Sequence, residues 1–323
     1  MFRKPIVNNK SVDVKPNDTE QIAHNKYIGY SLEAFRHTIT IYHDNAAAIP
    51  STVNVFDFIS NAVSKITLQI GAGNELYDLD LTAHMVRQLI TRGQLLYTID
   101  KTAGEGKVSN VELVVDFLSL GFVAPQDTIL FNTGRYDHLL TQIVASGGNS
   151  IADVTVTKTN VRITEKYKTD ITMPIVIGSD GKKVQMTPKN KKPIFRNHGF
   201  TSDNSMWEID LPNNTAISKI IMYVTDGGKI VSSKINNIIL KNTLRKLLEV
   251  DAKTLEYENR ENLRSYFNSN YNGILTLDLS SGEYTQALVT SNQFKDTKLD
   301  LDVVVDGATN PMLNLIIETV EEA

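Results

Sequence analysis

Six histidines, at positions 24, 37, 43, 84, 138 and 198, are the side chains here best suited to metal ligation or acid–base work. Their spacing favours neither role. There is no His-x-His pair and no His-Glu-x-x-His, so a metal-centred β-barrel site lacks its ligands. The absence of cysteine removes disulfides, thiolate nucleophiles and cysteine-based zinc sites together, and suits folding in a reducing compartment. Ser179-Asp180-Gly181-Lys182 has the form Ser-x-x-Lys, yet it stands between Ile175-Val176-Ile177 and Val184. There Asp180-Gly181 reads as a hairpin turn. Gly71-Ala72-Gly73 lacks both the third glycine and the following helix of a dinucleotide loop. Neither Gly-x-x-x-x-Gly-Lys-Ser/Thr nor Gly-x-Ser-x-Gly occurs. No catalytic residue and no cofactor site is expected.

Two charged groupings remain. Asp296, Asp300, Asp302 and Asp306 could offer oxygen ligands to calcium. Asp300 and Asp302 share one strand face, and an ordinary solvated face is the plainer reading. Between positions 182 and 196, Lys182, Lys183, Lys189, Lys191, Lys192 and Arg196 occur with no acid among them. Such a cluster can contact phosphate, on lipid headgroups or on a nucleic acid. The plainer reading is a solubilising loop that Pro188 and Pro193 keep from pairing as a sheet edge. Over the whole chain the formal charge is −4, which argues against the broad basic face that nucleic-acid recognition requires. Asn17-Asp18-Thr19 and Asn213-Asn214-Thr215 match the glycosylation pattern but lack a secretory signal to give them meaning.

The elements that must carry these residues are mostly strands. Apolar residues alternate at Ile66, Leu68, Ile70; Val154, Val156; Leu275, Leu277, Leu279; and Leu299, Leu301, Val303, Val305. Polar residues fill many intervening positions, as in antiparallel sheets with one wet face. Glycine turns punctuate them at Gly147-Gly148, Asp226-Gly227-Gly228, Asn272-Gly273 and Asp306-Gly307. Four short helices are expected. One runs from His84 to Arg92 and stops at Gly93. Ser109-Asn110-Val111-Glu112 has the form of a capping box opening a second, ending at Gly121. Ile235, Ile238 and Ile239 form a helical stripe, and Asn259 would cap a helix carrying Leu263, Tyr266 and Phe267. At 41% hydrophobic residues over 323 positions, the chain can build one large or two ordinary cores.

A divergent tandem duplication organises the chain. Ala62-Val63-Ser64-Lys65-Ile66 reappears as Ala216-Ile217-Ser218-Lys219-Ile220, and each leads into a strand and a glycine turn. Phe56-Asp57-Phe58 precedes the first as Ile209-Asp210-Leu211 precedes the second. The segment Leu95 to Asp100 parallels Leu247 to Asp251, and Thr128-Ile129-Leu130 parallels Gly273-Ile274-Leu275. The strand at 152–156 then parallels that at 299–303. The expected organisation is an N-terminal arm and leading strand at 1–50, a first module at 51–165, a connector at 166–205 and a second module at 206–323. An antiparallel module of that size holds about eight strands, the jelly-roll number. The fold class is therefore all-β, two tandem eight-stranded jelly-roll barrels.

With its paired openings at Ala62–Gly73 and Ala216–Gly228 and its C-terminal strands (Gly273 to Asp278, Leu299 to Val303, Leu315 to Ile317), this layout resembles the double jelly-roll major capsid proteins. These build the shells of tailless icosahedral phages with an internal membrane, the corticovirus and finnlakevirus coat proteins above all. The resemblance implies a non-enzymatic coat subunit. It would form a homotrimer, tile a capsid lattice in the virion, and meet a separate penton or vertex protein at the corners. It also implies terminal segments at the inner surface, and structural calcium occurs in some relatives. Residues 2–15, without clear periodicity, read as an extended arm whose Arg3, Lys4, Lys10 and Lys15 could reach lipid headgroups. A short helix is expected within 18–32.

Two other readings stay open. A two-domain jelly-roll carbohydrate-binding or adhesion protein would want exposed aromatic platforms, whereas the single tryptophan, Trp207, falls in an expected strand. An enzyme would want converging histidines and carboxylates. The N-terminus has no apolar signal core, and the most apolar window, Leu113 to Ala124, is too short for a membrane helix, so a soluble protein is expected.

Overall fold

In the computed structural model the residues described are 5–71, 74–117, 131–133, 136–169, 175–177, 181–185, 189–232, 234–243, 245–262, 273–280, 288–289 and 296–322. Two compact units divide the chain, residues 1–192 and 193–321.

The first unit opens with β1 (Ile6–Val14), β2 (Thr19–Ala23) and the sixteen-residue β3 (Tyr30–Asn45). Next come helix α1 (Val55–Ala62), β4 (Val63–Ile70), β5 (Asn74–Asp80) and helix α2 (Leu81–Arg92). It closes with β6 (Leu96–Thr98), β7 (Gly104–Asp116), β8 (Phe131–Asn132), β9 (Leu139–Ala145) and β10 (Val154–Thr169). One sheet has the order β1-β10-β3-β7-β6, with β8 also on β3; the other has the order β2-β9-β4-β5. A two-stranded ribbon follows, β11 (Ile175–Ile177) antiparallel to β12 (Lys183–Gln185); Gly181 between them has φ 76°, and Asp180 of the expected turn falls outside the described residues.

The second unit is built from β13 (Lys189–Gly199), β14 (Asn204–Asp210), β15 (Ala216–Asp226), β16 (Lys229–Ile230) and β17 (Ile235–Lys241). Then come β18 (Lys246–Asp251), helix α3 (Ala252–Asn262), β19 (Leu275–Asp278), β20 (Leu288–Val289), β21 (Lys298–Val303) and β22 (Pro311–Glu322). One sheet runs β13-β22-β15, with β16, β19 and β20 along the far edge of β15; the other runs β14-β21-β17-β18.

The two units share one topology. The orders β1-β10-β3-β7 and β2-β9-β4-β5 become β13-β22-β15-β19 and β14-β21-β17-β18 when each strand is replaced by its counterpart. Eight antiparallel strands in two such sheets are a jelly roll. A helix follows the fifth strand in both, α2 after β5 and α3 after β18. The module therefore starts earlier than the repeat in the sequence suggests. Residues 1–50 are not an arm with one leading strand: β1, β2 and β3 are the first three strands of the first jelly roll, and β1 pairs along nine residues with β10. The expected connector likewise contains β13, although Pro193 lies within it. Ala62–Ile66 leads into β4, whereas Ala216–Ile220 begins β15, the counterpart of β3; the matched pentapeptides are one strand out of step. The same slip pairs 152–156 in β10 with 299–303 in β21.

Local chemistry explains both the agreements and the departures. Along β3 and β10 every second side chain is buried over most of the length, matching the alternation. Asp80 caps α2 by accepting from the Ala83 N–H at 2.6 Å, and Gly93 ends it at φ 69°. The Ser109 capping box is instead part of β7. Its hydroxyl points inward and meets His43 Nε2 at 2.8 Å and the Asp100 N–H at 3.0 Å, while Val111, Leu113 and Val115 face the core. The helix-like spacing of Ile235 and Ile238 comes from a bulge in β17 between Ile235 and Asn237, which lets both turn inward. Asn259 lies inside α3, whose cap is Asp251, accepting from Lys253 and Thr254; Leu263, Tyr266 and Phe267 fall outside the described residues. The helix expected within 18–32 is β2, paired with β9.

Gly148 allows the chain to approach β10 closely. It has φ +75°, and a Cβ there would lie 2.8 Å from Val156 Cβ, while its carbonyl accepts the Val156 N–H at 2.9 Å. Gly148→Ala is expected to cost about 2 kcal/mol or more, against about 0.5 or less for Gly199→Ala, which has open space. Thermal unfolding of both variants measures the difference.

Candidate assembly and binding surfaces

Inside the first unit a buried polar tie joins both sheets. Glu165 on β10 and His24, just after β2, have fully buried side chains, with His24 Nδ1 2.7 Å from Glu165 Oε1. His24 Nε2 lies 2.7 Å from Thr141 Oγ1 on β9. The Tyr167 hydroxyl donates to Glu165 at 3.2 Å, the Asn8 amide at 3.4 Å, and the Lys10 ammonium stands 3.9 Å away. Burial and the neighbouring carboxylate push the Tyr167 hydroxyl pKa upward, so it remains a donor. The Thr–His–Glu sequence of contacts has the outline of a nucleophile–base–orienter set. Thr141, however, is 1% exposed, so its hydroxyl meets no substrate, and the set is a structural clasp. Sequence reading missed it because the partners are 117 and 141 residues apart.

Two further buried histidines stand next to it. His37 on β3 and His84 on α2 lie with ring centroids 6.0 Å apart, and Tyr77 packs against His84 at 5.1 Å. Burial, reinforced by His24, holds His37 down to a pKa of about 3. Burial, then His37 and Arg87, keeps His84 well below the usual imidazole range.

The six basic residues do not form one patch. Lys182 and Lys183 are exposed on the β11–β12 ribbon, whereas Lys189, Lys191, Lys192 and Arg196 belong to β13. Strand geometry sends Lys191 and Lys192 to opposite faces, both half-buried. Arg196 is tied down, donating from Nη1 to the Asp210 carbonyl at 2.6 Å. Of the N-terminal cations, Arg3 and Lys4 lie outside the described residues, and Lys10 binds the carbonyl of Ala23.

The aspartates at 296, 300, 302 and 306 are spread out, and lysines engage two of them. Asp300 meets Lys241 at 2.5 Å, and Asp306 meets Lys234 at 3.1 Å. Lys241 and Lys298 also bracket Glu208 at 2.6 and 2.8 Å, forming a charge ladder across β14, β21 and β17. Hydrogen bonds from Lys241 and then Lys298 bring Glu208 down to a pKa of about 2. Among the described residues no group of three His, Asp or Glu side chains is arranged to hold a metal ion. No helix among them is long and apolar enough to cross a membrane.

Two modules of identical strand order define a double jelly-roll fold. The chain is similar from end to end to the atomic structure of Sulfolobus turreted icosahedral virus, with a TM-score of 0.73, 14% identity, and 98% of this chain and 91% of that one covered. It is similar to the crystal structure of the STIV MCP, at a TM-score of 0.70, 13% identity, and coverage of 98% and 97%. With the major capsid protein P2 from bacteriophage PM2 the TM-score is 0.57 at 11% identity, covering 98% of each chain. No protein-family profile matches the chain. No curated protein matches it either.

Proposed function

We propose that this chain is a structural major capsid protein that trimerises into pseudo-hexagonal capsomers and tiles an icosahedral virion shell. The observation that carries this reading is the repetition of one jelly-roll topology in both units, together with end-to-end likeness to capsid proteins. Two similar modules repeated three times about an axis present six similar edges, and repeated self-complementary surfaces close into symmetric assemblies. The chemistry needed is burial and complementarity between copies. The half-buried position of Trp207, packed against Phe200 and His198, gives a carbohydrate-binding reading no aromatic platform at that residue.

Within this class we propose kinship with the membrane-containing tailless phages of the corticovirus and finnlakevirus type, a reading that its likeness to the PM2 protein along its whole length supports. Lys182 and Lys183, exposed beside Ile175 and Ile177 on the ribbon, are the cations best presented to phosphate, with lipid headgroups of an internal membrane as the partner. A penton or vertex protein would complete the shell.

Sedimentation of the purified chain tests the reading. Particles of three times the monomer mass, assembling further at high concentration and appearing as hexagonal tiles in negative stain, are the expected result. A strict monomer retained on a glycan column would overturn it in favour of the lectin reading.

A further inference from the structure

The outer face of the β1–β10–β3–β7 sheet carries a groove of about 560 Å³ in which cations and carboxylates do not balance. Arg92 closes on Asp116, with Nε at 3.0 Å and Nη2 at 2.6 Å from Oδ2. Lys166 and Lys168 share Glu33, each at 3.1 Å. That leaves one carboxylate, Glu112, for two arginines. It stands 3.9 Å from Arg36, beyond hydrogen-bond reach, and the Arg36 side chain is 57% exposed. Arg162 is exposed and has no hydrogen-bond or ion-pair partner among the described residues.

Strand register brings these two arginines together. Arg162 pairs with Thr38, and Arg36 pairs with Thr164, so the arginines sit diagonally on one face of adjacent strands. Diagonal neighbours have Cα atoms about 7–8 Å apart, well within the reach of two guanidinium groups. Both forks can then close on one anion, each with two parallel N–H donors matched to a carboxylate or phosphate edge. Until they do, two like charges face each other with little compensation, which raises the local potential for an anion. The Thr38 hydroxyl, with no hydrogen bond among the described residues, adds a donor at the floor. Val7 and Val114 give the groove an apolar flank.

We propose that this groove is an oxyanion site, in which Arg36 and Arg162 clamp a carboxylate or phosphate group. It stands apart from the coat reading, since it rests on the side chains of one sheet face alone.

Titration of the full chain with inorganic phosphate and, separately, with glutarate tests it, with sodium chloride holding ionic strength constant. Calorimetry and the thermal midpoint report binding. The expected result is saturable binding of one or both, weakened at least tenfold by Arg162→Gln and by Arg36→Gln and unchanged by Lys229→Gln. Binding of phosphate alone assigns a phosphate ligand, and binding of glutarate alone a carboxylate. Arg162→Glu, a change at an exposed side chain that leaves the core untouched, should abolish binding with the unfolding transition retained. No saturable binding of either anion, or binding that survives both glutamine variants, would overturn the proposal. Neither outcome bears on trimer formation, which sedimentation reads separately.

Discussion

Acidifying the protein from pH 7 to pH 5 is expected to destabilise the first unit by about 2 kcal/mol through His37 alone. The folded imidazole, 1% exposed on β3, takes up a proton only near pH 3, whereas in the unfolded chain it does so near 6.5. Between those values unfolding binds a proton, so stability is full above pH 6.5 and is lost as the pH falls through that window. His84, shifted in the same direction, adds to the loss. The groups facing this pair are His24 with Glu165 on one side and Tyr77 with Arg87 on the other. Among the described residues, the buried carboxylate beside this group is Glu165, already engaged by His24. Five of the six histidines, 24, 37, 43, 84 and 138, lie in the first unit, so the effect should be localised there. Thermal midpoints at stepped pH, with hydrogen exchange at β3 and α2, provide the measurement. His37→Gln should flatten the pH dependence. A midpoint that stays level from pH 7 to 5 would end this account.

Glu165→Ala should be among the most damaging single changes in the first unit, costing about 3–5 kcal/mol. The glutamate takes contacts from His24, Tyr167, Asn8 and Lys10, which come from two strands, β1 and β10, and the loop after β2. Removing it leaves a buried imidazole and a buried hydroxyl facing an empty volume. Glu165→Gln retains an acceptor and should cost less, about 1–3 kcal/mol. The only tryptophan belongs to the second unit, so two optical probes separate the units. Urea unfolding followed by circular dichroism should move to lower denaturant in Glu165→Ala, with the Trp207 fluorescence transition moving less. Equal midpoints for Glu165→Ala and the parent protein would show that the tie contributes nothing.

Much of the fold was legible because its strands are half-wet. Ile66, Leu68 and Ile70 announce β4, and Leu299, Leu301 and Val303 announce β21, since one buried face imposes period two. Helix α2 was legible from its stop at Gly93. What failed were places where long-range pairing overrides a local signal. Ser109 to Glu112 is a sound capping box in isolation, yet β3 offers that stretch a complete set of backbone partners. Ile235 and Ile238 looked helical because a bulge adds one residue to the strand period. The duplication itself was readable, but its register was not. The run Ala, a β-branched residue, Ser and Lys recurs at the starts of β4 (with Ala62 the last residue of α1) and of β15, although these are different strands of the module. The histidine clasp and the arginine pair had no sequence signal, because their members are joined only by sheet register.

The pairing of β1 with β10 also governs how the first unit responds to load. Ile6 lies opposite Tyr167 and Val14 opposite Thr159, so the leading end of β1 and the trailing end of β10 emerge side by side. Tension drawn between those two ends would fall on a single rung at a time, peeling the strands apart instead of shearing all nine rungs together. Under pulling from its own termini the barrel would open from that edge at low force, with the grip at Glu165 the first sturdy knot the tear would encounter.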